Sequence, residues 1–301
     1  MRGAELHLPF GATSADGDSV VITPETAGWE LCGLRVIRLG AGEARTLATG
    51  PDEVAVLPLS GGGVSVEADG QTFALDGRPS VFARVTDWAY IPMDADVRLS
   101  SRGGCELALA SARATRRLEP AYVPAEAVQV EVRGAGTATR QVTNFLTPEA
   151  FDGADKLICC ELLTPDGNWS SYPPHKHDDT EGSPVRNEEI YYFRIGRAGT
   201  VDYSPEGYGL HRTYTHDGSI DATVTVRDGD VFLVPRGYHG PCVAAPGYPM
   251  YYLNVMAGPG PGRRMAFVDD PPHAWIRDTW RSEDLDPRCP MTNEEGPTWR
   301  P

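Results

Sequence analysis

Short stretches of alternating polar and apolar residues recur along the chain, and several of them end at an Asp-Gly dipeptide. Alternation with a period of two is typical of β-strands with one buried face, and Asp-Gly favours the tight turns of β-hairpins. An alternating run, Asp-Gly and then Val-Phe occur in this order at residues 71–75, 76–77 and 81–82 and again at residues 222–227, 228–229 and 231–232. The pattern predicts an all-β protein built from two similar domains in tandem.

The content of glycine and proline supports many turns and short strands. With 33 and 26 residues, these two amino acids make up about a fifth of the 301-residue chain, which argues against a helical bundle. The length suffices for two domains of about 150 residues each. We divide the chain into a first β-domain at 1–125 and a second domain at 126–301, which ends in a proline-rich tail.

The charge balance excludes several classes of partner. The formal net charge of −15 and the pI of about 4.9 predict an acidic surface, which repels nucleic acids and anionic membranes. The sequence contains no apolar run of about 18 residues and no signal-like N-terminus, so we expect a cytoplasmic protein. The six cysteines form no CxxC pair, which favours reduced thiols over disulfides.

Histidine is distributed unevenly along the chain. Of seven histidines, all except His7 lie at or beyond residue 175. His175 and His177 are two residues apart, a spacing that directs both imidazoles to one face of a β-strand. Neutral imidazole is a common ligand of divalent ions such as Zn, Mn, Fe and Ni, so only the second domain is expected to bind a metal ion. A pair of exposed histidines in a polar loop is the alternative.

The residues around these histidines resemble the two sequence motifs of the cupin barrel. The first motif continues from HxH to a Glu, six residues and a Gly, and Glu189 fits that spacing. Glu181 lies at the usual short gap after His177, but it falls in a polar insert, so we choose Glu189. The second motif ends in a Pro-x-Gly turn and a His, which here is His239, one residue early. The resemblance implies a metal site formed by His175, His177, Glu189 and His239.

Longer blocks of sequence carry a more specific resemblance. They lie at residues 133–136, 140–142, 168–178, 188–192, 235–239 and 247–258. These blocks are similar to those of the 5-deoxy-glucuronate isomerases of myo-inositol catabolism, and the likeness covers about the whole chain. It implies tandem double-stranded β-helix barrels (a bicupin) with a C-terminal extension and without metal ligands in the first barrel. One departure is His211, where family members commonly carry Gln.

The family reaction converts 5-deoxy-D-glucuronate, an aldose acid, into 5-dehydro-2-deoxy-D-gluconate. Moving the carbonyl requires transfer of a proton, and a divalent ion would stabilise the enediolate formed on the way. The candidate catalytic residues for this transfer are Glu188, His211, Tyr251, Asp178 and Glu181. Strand alternation directs Glu188 away from the face that bears Glu189.

The carboxylate of such a substrate is expected to bind a cationic side chain. Arginine suits this role better than lysine, because its guanidinium group can donate two parallel hydrogen bonds to a carboxylate. Arg194 lies in the strand that Glu189 opens, and Arg236 lies close to His239. These two arginines are therefore the candidate substrate-binding residues. A surface ion pair is the alternative role for each of them.

Other functions stay open at this point. Relatives of the same architecture isomerise 5-keto-4-deoxyuronate from pectin breakdown, and cupins with the same ligand set use iron to cleave substrates with dioxygen. A non-catalytic sugar-binding bicupin is a third alternative, although loss of the ligands from both halves would be expected of it. Exposed barrel faces in such folds are commonly covered by subunit contacts, so we expect a homo-oligomer.

Overall fold

A computed structural model describes residues 3–178 and 183–298, and the protein is nearly all β within these ranges. The helices there are single turns, and none of them has the length and apolar character needed to cross a membrane. The α-helical turns are α1 (Gly3–Leu6), α2 (Pro24–Ala27) and α3 (Ile276–Thr279), and the 3₁₀ turns are Ala125–Ala127, Gly136–Ala138 and Pro271–His273. The expectation of a strand-rich chain without a helical bundle is confirmed.

Strands of two to 17 residues make up the rest of the regular structure. In the first half they are β1 (His7–Leu8), β2 (Val20–Ile22), β3 (Cys32–Leu39), β4 (Ala44–Ala48), β5 (Asp52–Ala68), β6 (Gln71–Arg78), β7 (Trp88–Ile91), β8 (Asp96–Ser101), β9 (Cys105–Arg113) and β10 (Ala121–Val123). In the second half they are β11 (Gln129–Arg133), β12 (Arg140–Leu146), β13 (Ile158–Thr164), β14 (Trp169–Ser170), β15 (His175–Lys176), β16 (Glu188–Ile195), β17 (Gly209–Tyr214), β18 (Asp221–Val226), β19 (Val231–Val234), β20 (Tyr238–Ala244), β21 (Met250–Ala257) and β22 (Val268–Asp269).

One sheet is built entirely from the first half of the chain. Its strand order is β10-β7-β5-β9-β3-β2, and β4, β6 and β8 pair beside this path. The long strand β5 pairs with β7 and β9 through its first part and with β6 and β8 through its last part, and its register against β9 shifts between Pro58 and Ser60. A Cβ atom on Gly62 would lie 2.0 Å from the carbonyl oxygen of Asp76, so only glycine permits this close passage of two backbones.

The second half forms two sheets that hold the candidate metal ligands. The first has the order β1-β19-β16-β21-β13-β12-β11, and the second has the order β18-β17-β20-β15-β22 with β14 paired to β20. Strand β1 comes from the N-terminus, where His7 pairs with Phe232 of β19. The first strand of the chain therefore completes a sheet of the second half.

The Asp-Gly dipeptides of the repeated pattern do not all make hairpin turns. Asp69-Gly70 joins β5 to β6 as expected, whereas Asp76-Gly77 lies inside β6. The carboxylate of Asp87 accepts the N–H groups of Asp76 and Gly77 at 2.7 and 3.0 Å and so satisfies that backbone within the strand. The prediction of a turn at Asp76-Gly77 was wrong, because a side chain distant in sequence provides these hydrogen bonds.

Buried carboxylates tie the two halves together. Glu53, on β5, is fully buried, and it accepts the N–H groups of Asp155, Lys156 and Leu157 at 2.8, 2.6 and 2.6 Å. The hydroxyl of Tyr90 donates to the same carboxylate at 2.7 Å. A buried backbone turn of the second half therefore depends on a side chain of the first half for its hydrogen bonds.

A buried ion pair also crosses between the halves. Arg78, at the end of β6, pairs with Glu161 of β13, and their side chains are 2% and 4% exposed. Tyr251 donates its hydroxyl to Glu161 at 2.7 Å. A buried pair of this kind is costly to break, because removal of one partner leaves the other charge without compensation.

Substitution of Arg78 by Met should lower the free energy of unfolding by about 3 kcal/mol, since Glu161 would stay buried without its counter-charge. Urea denaturation followed by circular dichroism measures this loss. The matched control is Arg98→Met, which removes an ion pair to Glu67 whose side chains are 49% and 42% exposed. The control should cost less than about 1 kcal/mol. Equal losses in the two variants would contradict a structural role for the buried pair.

Candidate metal centre and its pocket

Three buried side chains from the second half converge on one point. His177 Nε2 lies 2.9 Å from Glu189 Oε2, and His239 Nε2 lies 3.2 Å from the same oxygen. One candidate ligand atom from each of these residues falls within 4.8 Å of the others. Two imidazole nitrogens and a carboxylate oxygen at this separation could hold a divalent metal ion.

Strand pairing explains why these residues meet. His239 is the second residue of β20 and the register partner of His175 on β15. Glu189 stands on β16 in the neighbouring sheet and directs its side chain toward them. The imidazole of His175 lies 4.6 Å from that of His239, between ring centres. All four ligands predicted from the sequence are therefore close together, with His175 beside the group of three.

The orientation of the rings fits metal binding. The Nδ1 atoms of His175 and His239 lie 3.3 Å from the carbonyl oxygens of Pro173 and Gly237. Because a carbonyl only accepts hydrogen bonds, each Nδ1 carries the proton and each Nε2 keeps its lone pair. Histidine ligands of metal ions are commonly oriented in this way. The Nε2 of His239 is buried and has no hydrogen-bond partner in the structure.

Burial and neighbouring charges set the ionisation of the three histidines. Burial lowers the pKa of His175 to about 3, and the adjacent His177 contributes to the decrease. Burial also lowers the pKa of His239 well below its usual value. Burial opposes the charge on His177, but the Glu189 carboxylate outweighs it and raises the pKa of His177. His175 and His239 are thus neutral imidazoles, the form that binds metal ions.

A pocket of about 710 Å³ opens in front of these ligands. It is lined by Gln129, Glu131, Val132, Arg133, Gly134, Arg140, Asn144, Thr147, Glu149, His175, His177, Asn187, Glu189, Asn254, Met256, Met265, Ala266, Phe267, Arg277 and Trp280. Three lining residues within the described ranges have a buried polar atom without a hydrogen-bond partner, namely Arg140 Nε, Asn144 Oδ1 and Asn254 Oδ1. Since buried polar groups are normally paired, their presence here indicates a site built for a polar ligand.

Glu188 does not take part in this pocket, in contrast to the catalytic role considered from the sequence. Its carboxylate accepts the N–H groups of Glu30, Leu31 and Cys32 at 2.7, 2.8 and 2.9 Å. Alternation along β16 directs Glu188 toward the first half of the chain and Glu189 toward the pocket. The assignment is corrected: Glu188 joins the two halves.

Tyr251 and His211 also lie away from the lining of the pocket. The hydroxyl of Tyr251 is directed to Glu161, on the face of the sheet that packs against the first half. His211 is fully buried, and its ring nitrogens lie 3.0 Å from Cys242 Sγ and 2.9 Å from Thr213 Oγ1. Both ring nitrogens of His211 are thus paired, and neither residue is placed to move a proton of a bound substrate.

Two further candidates for proton transfer have different outcomes. Asp178 is buried beside another pocket, where its carboxylate accepts the N–H of Gly237 at 2.6 Å. Glu181 lies outside the described residues. Asp178 is not among the described residues that line the pocket in front of the histidines.

The two arginines predicted to bind substrate are used elsewhere. Arg194 pairs with Glu106 and with Asp228, whose Oδ1 lies 2.8 Å from its Nε, on the face of β16 opposite to Glu189. Arg236 is half-exposed and donates to Ser219 Oγ at 2.7 Å outside the pocket. Both assignments are corrected, because proximity in sequence to a ligand did not place either guanidinium on the pocket side.

The residues that sequence reasoning missed are polar groups on strands distant from the histidines. Asn254 of β21 donates its amide to Glu189 Oε1 and so orients that carboxylate. The signal was present in the sequence, since Asn254 is the one strongly polar residue in the apolar and aromatic run of β21. Arg133 and Arg140 lie in a segment singled out for its family likeness, without a role assigned to them.

Comparison with known sequences gives a family match over most of the chain. The KduI/IolB family matches residues 7–276, a range that contains all four candidate ligands. A 5-deoxy-glucuronate isomerase from Geobacillus kaustophilus is 38% identical over 280 residues, which are 92% of this chain and 96% of that protein. A protein of the same name from Bacillus subtilis is 37% identical over 246 residues, which are 80% of this chain and 86% of the relative.

Solved structures resemble the fold at two levels of similarity. The crystal structure of an IolB-like protein from Salmonella typhimurium has a TM-score of 0.81 and 36% sequence identity, and the match covers 90% of this chain and 99% of that one. A variant of Bacillus subtilis oxalate decarboxylase has a TM-score of 0.61 at 13% identity, over 88% of this chain and 79% of its own. The second likeness concerns the fold alone.

The adjacent residues Glu188 and Glu189 should respond differently to the same substitution. Glu189→Gln should weaken binding of divalent metal by about 10- to 100-fold, because the ligand charge is lost. Glu188→Gln should keep the metal affinity but lose about 2 kcal/mol of stability, since its amide group would face N–H donors. Calorimetric metal titration and urea denaturation measure the two effects. Loss of metal affinity in Glu188→Gln would contradict the opposite orientation of the two side chains.

Proposed function

The chain belongs to the KduI/IolB family, and on this basis we propose that it isomerises 5-deoxy-D-glucuronate to 5-dehydro-2-deoxy-D-gluconate with the help of a divalent metal ion. The observation that supports the metal is the convergence of His177, Glu189 and His239 beside a large pocket. The ligand orientation and the unpartnered Nε2 of His239 fit such an ion. We include His175 as the fourth ligand because its ring centre lies 4.6 Å from that of His239 and it lines the same pocket.

Each part of the site has a role in this reaction. When bound, the divalent ion supplies a Lewis acid that stabilises the negative charge developing as a proton leaves the carbon beside the carbonyl. Asn254 holds the Glu189 carboxylate in place, and the backbone carbonyls of Pro173 and Gly237 hold two of the imidazoles. Pre-oriented ligands of this kind need no rearrangement during the reaction.

The proposal includes two cupin barrels in tandem, a bicupin divided near residue 125. The sheet formed from the first half supports this division, and so does its own apolar cluster between Ile37 and Leu109. Residues 8–174 contain no histidine, which is why we place the metal ion in the second barrel alone. A cytoplasmic location and a homo-oligomeric state stay predictions of the sequence.

The proposed reaction can be followed by proton NMR of the purified protein with 5-deoxy-D-glucuronate in D₂O. We expect loss of the aldehyde-derived signals and formation of the ketone, abolished by a chelator and restored by a divalent ion. Deuterium incorporation would further support an enediol route. An unchanged spectrum with fully metallated protein would refute the substrate. The pectin-derived 5-keto-4-deoxyuronate and oxygen uptake would then be tested.

Loss of a single ligand should remove both metal and activity. His175→Ala and His239→Ala should lower kcat/KM by more than about 100-fold and reduce the bound metal, while the circular dichroism spectrum stays that of a folded β-protein. His273→Ala is the control, because this side chain is 45% exposed and outside the pocket. Full activity of His239→Ala with no metal bound would exclude the proposed centre.

A further inference from the structure

Three arginines line the pocket of a protein whose net charge is −15. Two of them have carboxylate partners. Arg133 Nε lies 2.9 Å from Glu131 Oε1, and Arg277 makes a two-pronged contact with Asp269 in which Nη2 lies 2.7 Å from Oδ1. These two guanidinium charges are therefore largely balanced within the protein.

The third guanidinium, that of Arg140, has no carboxylate partner among the described residues. Its residue is 5% exposed, its Nη1 donates to the carbonyl oxygen of Ala138 at 3.1 Å, and its Nε is buried without a hydrogen-bond partner. The guanidinium carbon lies 5.5 Å from the ring centre of Trp280. Burial of a cation without a counter-charge lowers the stability of the folded protein, so this arrangement indicates that Arg140 has a function other than stabilising the fold.

The surrounding charges confirm the deficit of negative charge at this point. Burial lowers the pKa of Arg140 to about 10, and the positive charges of Arg133 and Arg277 contribute to the decrease. Three described carboxylates line the pocket: Glu131 is engaged by Arg133 and by Asn144, Glu189 belongs to the histidine group, and Glu149 makes no ion pair with Arg140. An anionic ligand would supply the missing charge.

The absence of a side chain at Gly134 leaves room for the guanidinium group of Arg140. Arg133 and Arg140 are register partners on β11 and β12, and Gly134 follows β11 with a φ of +80°. A Cβ atom on Gly134 would lie 2.9 Å from Arg140 Nη1 and 2.1 Å from the carbonyl oxygen of Ala138. Only glycine fits there, so the position of Arg140 is built into the turn between the two strands.

We propose that Arg140 binds the carboxylate of the sugar acid while the reacting end of the same molecule lies at the histidine group. This inference rests on the proposed function and adds the residue that selects an acid. In 5-deoxy-D-glucuronate the aldehyde and the carboxylate are at opposite ends of a six-carbon chain. Arg140 and His177 line one pocket on different strands, an arrangement that suits a ligand held at both ends.

The test compares the acid with its neutral carboxamide on wild-type protein and on Arg140→Met, which keeps an unbranched side chain and removes the charged guanidinium. Arg140→Met should raise KM and the calorimetric dissociation constant for the acid by about 10- to 100-fold. Values for the carboxamide should stay within about threefold. Arg236→Met is the matched control and should change neither ligand, because Arg236 lies outside the pocket. Equal losses for acid and carboxamide, or no loss for either, would overturn the proposal.

Equilibrium binding separates this test from that of the proposed reaction. Wild-type protein that binds the acid in preference to the carboxamide but does not convert it would refute the isomerase and support Arg140 as the carboxylate site. Turnover without such a preference would support the isomerase and overturn the role of Arg140. Arg140→Met should also raise the unfolding temperature of the ligand-free protein, whereas a merely structural arginine would lower it.

Discussion

The alternation of side chains along β16 is the constraint on which both the architecture and the site depend. Glu188 and Glu189 are adjacent, so a β-strand must direct their carboxylates to opposite faces of the sheet. Glu188 accepts three backbone N–H groups of the first half, and Glu189 meets two imidazoles on the other face. A shift of one residue in the pairing of β16 would exchange these roles and destroy both.

The first half of the chain supports the site, but none of its described residues lines the pocket. Its contacts with the second half combine a shared apolar cluster with charge-assisted hydrogen bonds of buried carboxylates, at Glu53, Glu161 and Glu188. Such bonds are directional, so they set the position of β13 and β16 more narrowly than apolar packing would. The pocket itself shows the opposite behaviour, because several of its buried polar atoms lack partners within the described protein. The hydrogen bonds between the two halves contribute free energy of folding, which offsets the destabilisation by unpaired polar groups in the pocket.

The candidate metal ligands could be named from the sequence because their signals are local. The spacing of His175 and His177 predicts a shared face, and Glu189 and His239 were chosen from the resemblance to the cupin motifs. Arg194 could have been excluded by strand alternation, since it is five residues from Glu189 on the same strand and so faces the opposite side. Arg140 was not predictable in this way. Its place in the pocket results from the pairing of β11 with β12 and of β12 with β13, far from the histidines in sequence.

The sequence by itself indicated the strand-rich class, the family and four candidate ligands, of which three converge in the structure with His175 beside them. The strand-rich class follows from short-range periodicity, which is independent of the partner strands, whereas the family and the ligand set follow from the resemblance of sequence blocks and motifs. Only the tertiary structure decided which charged side chains are paired within the protein and which have no partner of opposite charge among the described residues. Arg194 and Arg236 are engaged by groups outside the pocket. Arg140 lines the pocket, and its guanidinium has no carboxylate partner among the described residues. Charge compensation depends on contacts between distant strands, and no local pattern encodes it.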